Sequence, residues 1–216
     1  MNHVIRSYSS LIMGVFFLVI PAALVVFGPT PARGSWLKDF LSILTILGFS
    51  MMLGQMYLTR IKSAFTRGMK LPRVVRLHKA IGYLLVSVIL LHPAFIVLPR
   101  YLEAGARPID SLITMVTEFD NMGIVLGLAA YALMILLGIT AVFRTKMPIS
   151  YRQWRVLHGI LSILFIAFGT WHAVDMGRHM DRVLSIYFIT LATIGCLLVL
   201  QLYLFNNQPS KEPANG

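Results

Sequence analysis

The chain predicts an all-α membrane protein, a six-transmembrane-helix bundle with both termini cytoplasmic, on three observations. Of 216 residues, 57% are hydrophobic and only 12% charged, against about 25% charged in an average soluble domain. Six apolar runs are each close to the ~20 residues that cross a bilayer as a helix. Basic residues crowd into alternate connections between those runs.

The first run, Leu11–Phe27, follows Arg6 and resembles a signal peptide in outline. Pro21 interrupts it and no small-residue cleavage site follows, so it reads as a retained span. The others are Phe40–Leu58, Ile81–Leu98, Met122–Phe143, Val156–Val174 and Val183–Leu204. Residues 1–205 form one transmembrane domain on this reading. The polar tail 206–216, with two prolines, is expected to be disordered and cytoplasmic.

Charge gives the orientation. Arg60, Lys62, Arg67, Lys70, Arg73 and Arg76 lie between runs two and three, and Arg144, Lys146, Arg152 and Arg155 between runs four and five. Neither stretch contains Asp or Glu. Seven of the chain's eight acids, Asp39, Glu103, Asp110, Glu118, Asp120, Asp175 and Asp181, fall in the opposite connections. Short loops rich in Lys and Arg stay in the cytoplasm. The expected location is thus the bacterial cytoplasmic (inner) membrane, crossed several times and surrounded by lipid. The formal charge of +11 does not indicate nucleic acid, because no soluble region is large enough for such a domain.

Four of the six histidines carry the functional signal. His78 and His92, on the helical stretch that carries run three, are fourteen residues apart, and so are His158 and His172 in run five. Fourteen residues make nearly four helical turns, so both members of a pair face one way, ~21 Å apart along the axis. Runs three and five point in the same direction. His78 and His158 therefore share the cytoplasmic level, and His92 and His172 the outer one. Two bis-His haem sites follow, stacked as an electron path across the membrane. Two blander readings are interfacial histidines and interhelical hydrogen-bond partners. Imidazole also suits zinc or copper, but no carboxylate or thiol lies in these spans to complete a small-ion site.

The neighbours leave several roles open. Gly82, Gly159 and Gly169 would let a flat macrocycle approach a helix, or would serve bare helix packing. Phe165, midway between His158 and His172, either fills the space between two haems or is an ordinary core aromatic; its counterpart in run three is Leu85. Arg73, Arg76, Lys79, Arg152 and Arg155 ring the inner level, suited to haem propionates and equally explained by topology. Arg100, Arg178 and His179 are outer candidates for propionates or an electron acceptor. Trp154 and Trp171 fit interfacial belts. Met51, Met52 and Met56 read as packing. The lone cysteine, Cys196, excludes a disulfide or Cys-ligated cluster within one chain. With its few acids in loops, the chain supports neither Ser/His/Asp nor paired-carboxylate catalysis.

The segments RLHKAIGYLLVSVILLHP and WRVLHGILSILFIAFGTWH resemble the transmembrane domain of ferric reductases and NADPH oxidases. This resemblance implies two b-type haems, held by His78 with His158 and His92 with His172, passing electrons from the cytoplasm to the outer side. Full-length relatives continue into a flavin and nicotinamide domain. Here about a dozen residues follow run six, with no G-x-G-x-x-G turn. The chain is most similar to stand-alone members, such as the haem-binding membrane subunit of the bacterial methionine sulfoxide reductase system. A cytoplasmic flavoprotein reductase or a membrane quinol is then the expected donor, and a periplasmic protein, ferric iron or oxygen the acceptor. Two alternatives stand beside this. One is a quinol-oxidising cytochrome b subunit, with Gln55, Tyr57 and Tyr83 as pocket candidates. The other is a non-enzymatic membrane protein that binds haem for transport or assembly.

Overall fold

In a computed structural model, residues 11–29, 35–58, 71–117 and 119–205 are described. Among them the chain is helical, with no strand. The helices are α1 (Leu11–Phe27), α2 (Trp36–Leu58), α3 (Leu71–Leu90), α4 (His92–Ala104), α5 (Pro108–Thr117), α6 (Met122–Val142), α7 (Tyr151–Met176) and α8 (Arg182–Phe205). Five segments are long and apolar enough to cross a membrane: Trp36–Leu58, Pro72–Ala104, Met122–Val142, Tyr151–Met176 and Arg182–Tyr203. The shorter α1 has seventeen residues, about 26 Å of helix. The basic residues Arg60, Lys62, Arg67 and Lys70, the acid Glu118 and the tail 206–216 lie outside the described residues.

The helices α2, α3, α6, α7 and α8 form a ring, each packed on the next, and α1 covers the groove between α2 and α8. The faces turned inward are the well-packed ones. Leu53, Met134 and Leu184 are fully buried, and Phe49 stacks on Phe188 at 5.9 Å while meeting Phe165 edge-on at 6.2 Å. Met52 and Met56 belong to this core and Met51 packs against it. Outward positions such as Leu84, Ile160, Trp171, Ile186 and Leu197 are large, apolar and exposed. A shell of that kind suits hydrocarbon rather than water.

Local chemistry explains the irregular points. In α1 the turn Val15–Val19 widens to a π-helix just ahead of Pro21, whose ring has no N–H to give to Phe17. The Tyr187 hydroxyl donates to the neighbouring Phe16 carbonyl. The third apolar run, expected as one regular helix, is broken at Leu91. Pro93 cannot donate to Ile89 and its ring crowds that carbonyl. Leu91 N–H is shared between Ser87 and Val88 at 3.3 and 3.2 Å, and the Leu90 carbonyl accepts the Tyr131 hydroxyl at 3.0 Å. Backbone groups freed inside a membrane need such partners. Gly105, at φ 65°, closes α4 with its N–H directed to Arg100 and Tyr101.

Ion pairs gather at one end. Lys38 meets Glu103 at 2.8 Å, Arg178 meets Asp39 at 3.1 Å, and His179 stands 3.5 Å from the same carboxylate. This is the acidic end. Arg144, Lys146, Arg152 and Arg155 mark the opposite, basic end.

Candidate haem-binding sites

α3 and α7 are not neighbours in the ring: α6 packs closely against α7 and more lightly against α3, while α3 and α7 make no extended contact. Across this looser seam His78 of α3 and His92 at the start of α4 meet His158 and His172 of α7. The ring centroids of His78 and His158 are 6.4 Å apart at an interplanar angle of 77°, and those of His92 and His172 are 6.2 Å apart at 81°. Along the unbroken α7 the two levels differ by ~21 Å. A break at Leu91 therefore leaves the pairing of His92 intact.

These separations test whether a metal fits. An imidazole–metal bond is about 2 Å and the ring centre lies ~1 Å beyond the nitrogen, so an atom held between two imidazoles sets their centroids about 6 Å apart. Both pairs meet that figure. Among the described residues no three His, Cys, Asp or Glu side chains gather as a metal cage. Two imidazoles per level suit a metal whose remaining ligands arrive with it, as in a porphyrin.

Hydrogen bonding adds a second test at the acidic-end pair. His172 Nδ1 lies 2.8 Å from the Gly123 carbonyl, which only accepts, so Nδ1 carries the proton. Thr45 donates its hydroxyl to Leu41 at 2.8 Å and stands 3.4 Å from His92 Nδ1. This weaker contact makes Nδ1 the donor there too. In both rings Nε2 then keeps its lone pair, the state a metal requires, with the second partner fixing the ring. The Asn121 side chain caps α6 by accepting from Gly123 N–H at 2.6 Å, which holds that turn in place. At the basic-end pair, Trp154 stacks on His158 with centroids 5.1 Å apart.

The glycines divide. A Cβ at Gly82 would meet nothing within 4 Å, leaving open space one turn from His78. At Gly159 a Cβ would strike Tyr203, and at Gly169 it would meet Phe49 at 2.9 Å. The last two face packed side chains, the helix-packing alternative, and only Gly82 faces open space. A further glycine went unnoticed: Gly127 leaves room for the His172 ring itself, 2.7 Å from where a Cβ would sit. Phe165 is buried in the aromatic core against Phe49. Arg76 and Arg155 are exposed near the basic end, with the Arg155 guanidinium 5.9 Å from the Tyr151 ring centre. At the acidic end Arg178 and His179 are engaged by Asp39, whereas Arg100 is exposed. Thr45 and Gly123 escaped sequence reasoning because they lie on other helices. Trp154 had a visible signal, its place one turn before His158 on the same helix.

The family of ferric reductase like transmembrane components matches residues 44–169. The chain belongs to that family. His78, His92 and His158 fall inside the matched segment, and His172 lies three residues beyond it. A protein of Archaeoglobus fulgidus, itself uncharacterized, is 33% identical over 163 residues, covering 76% of this chain and 88% of its own length. No solved structure matches the chain. Family membership makes the protein a multi-pass integral membrane protein and indicates transmembrane electron transfer in general; such domains generally bind haem.

Proposed function

We propose that the protein carries single electrons across the membrane through two b-type haems, one clamped by His78 and His158 and the other by His92 and His172. The observation that carries this reading is the two histidine pairs, matched in separation and set at two levels of a loosely packed seam. Haem ligated by two imidazoles cycles between ferric and ferrous states with no open iron position. The chain's own residues supply the rest. Gly123 and Thr45 direct Nε2 of His172 and His92 into the seam. Phe165 fills the core between the levels. Arg76 and Arg155 offer guanidinium groups to propionate carboxylates at the basic end.

In this reading α1 is the sixth span, both termini are cytoplasmic, and the membrane is the bacterial cytoplasmic membrane. The basic end then faces the cytoplasm, and Arg144, Lys146, Arg152 and Arg155 attract an acidic flavoprotein donor by complementary charge. Electrons leave at the acidic end for a periplasmic protein, ferric iron or oxygen. The chain acts as the haem-binding membrane component of an oxidoreductase.

A pyridine haemochrome assay with haem counted per chain tests this. About two b haems per chain are expected, falling to one in His92→Leu or His172→Leu. No haem after haem-supplemented expression would overturn it.

One observation favours a quinol as donor. Thr45 faces His92, and Gly48 faces Val88 and Ile89, so Gln55, two turns further along that stripe of α2, stands level with Gly82. Its side chain is buried, and neither amide atom meets a partner among the described residues. An amide offers both the donor and the acceptor that quinone and quinol oxygens need. Tyr57 is committed to the Leu191 carbonyl at 2.6 Å and Tyr83 is exposed. Haem reduction by a short-chain quinol, lost in Gln55→Leu, would establish this donor; failure in the parent protein would exclude it.

A further inference from the structure

We infer that Trp154 is the positioning residue for His158, fixing the plane of its imidazole and through it the angle between the two rings of the basic-end pair. This rests on the proposal that the histidine pairs hold haem.

Trp154 and His158 are one turn apart on the same face of α7, where side chains meet. Their rings stack at 5.1 Å with 26° between planes. An indole stacked on an imidazole restricts rotation of the smaller ring about its χ2, provided the indole is itself held. Three contacts hold it. The indole N–H donates to the Thr140 carbonyl at 2.9 Å, in the last turn of α6, where the helix has run out of its own donors. Tyr151 stacks on Trp154 at 5.9 Å and 15°. The Arg144 guanidinium lies over both, 4.5 Å from the Tyr151 ring centre and 5.3 Å from that of Trp154, the geometry of a cation on an aromatic face.

At the acidic end the His172 plane is set by a hydrogen bond to a backbone carbonyl. At the basic end His158 is set by stacking, within a column that begins at the exposed Arg144 and Tyr151. A tryptophan serving only as an interfacial anchor would have no reason to match the tilt of a histidine plane.

The angle between the imidazole planes governs the electron paramagnetic resonance of a ferric bis-imidazole haem. Near-perpendicular rings give a strongly anisotropic low-spin signal, and near-parallel rings a rhombic one. Angles of 77° and 81° therefore give two strongly anisotropic signals in the parent protein. In Trp154→Leu, one signal should move toward the rhombic form while the other stays. Trp154→Phe, which keeps a stacking ring but loses the N–H, should move it less. Both signals unchanged at unchanged haem content would overturn the inference, as would equal movement of both. Should Trp154→Leu lose the basic-end haem, Trp154→Phe decides: a displaced signal supports the role and an unchanged one refutes it.

A haem-free measurement separates this from the functional proposal. In apo-protein with labelled histidines, the ring current of the indole should displace the His158 Cε1–H resonance from those of the other histidines. Trp154→Leu should return it to the ordinary position. An undisplaced resonance in the parent refutes the positioning role whether or not the chain binds haem.

Discussion

On the proposed function, replacing Gly127 with alanine should weaken haem binding at the acidic end without changing a ligand. The new methyl carbon would stand 2.7 Å from Cε1 and 2.9 Å from Cγ of His172, and closer still to Nδ1. Carbon contacts relax at about 3.5–4.0 Å, so the ring must retreat by about 1 Å. The 2.8 Å hydrogen bond to Gly123 would then stretch to about 3.8 Å, beyond any useful bond. Overpacking of this kind costs about 1–3 kcal/mol, and the lost bond about 1 kcal/mol more. Disturbing the partner that orients a ligating histidine typically weakens metal binding ~10–100-fold. The helix itself gains about 0.5–1 kcal/mol from exchanging glycine for alanine, so α6 should not unravel. Gly138→Ala is the control on the same helix, because its Cβ would make an ordinary 3.7 Å contact with Val86. Haem titration into apo-protein, followed by reduced-minus-oxidised spectra, reads the effect site by site. Full occupancy of both sites at parent affinity in Gly127→Ala would refute the reasoning.

Two further outcomes follow from features away from the histidine pairs. Tyr131→Phe removes the donor to the Leu90 carbonyl at the helix break; leaving that group unsatisfied on a lipid-facing surface, with no water to replace the donor, should cost about 1–3 kcal/mol, seen as a lower thermal unfolding midpoint with haem content unchanged. His179, in the linker before α8, has its pKa held below 6.5, chiefly by burial and also by Arg178, although Asp39 pulls the other way. The unfolded chain therefore binds the proton at higher pH than the folded one, so stability falls as pH drops below about 6.5. His179→Gln should flatten that decline between about pH 7.5 and pH 5.5, measured by thermal unfolding; an unchanged slope would remove His179 from the account.

The span pattern and the four histidines were legible in the sequence because both depend on periodicity along single helices. An apolar run of bilayer length and a fourteen-residue spacing need no knowledge of packing. Even the break at Leu91 had its sign in Pro93, but a hydropathy run averages over a single proline. The seating of the rings was not legible. Thr45 and Gly123 meet His92 and His172 only because α2 and α6 flank the seam, and nothing near those histidines names them. Sequence left Gly159 and Gly169 with two readings for the same reason: only the packing of Tyr203 and Phe49 against them decides between room for a cofactor and contact between helices. The charge pattern set the two ends apart, yet α5 in an acidic connection, a ten-residue helix in what read as a loop, was missed for want of length.

The loose seam also bears on how the protein is assembled. Consecutive helices α6 and α7 make the most extensive contact in the bundle, and α2 with α3 a further close pair. Each is a hairpin able to form as it enters the bilayer, bringing one histidine of each level and leaving its partner on the other hairpin. The packing that joins the hairpins, α3 against α6, is sparse beside the packing within each. Any group clamped between the pairs acts there as a clasp, and its free concentration then enters the folding equilibrium by mass action. In a cell short of that group, the joined form would be correspondingly less populated.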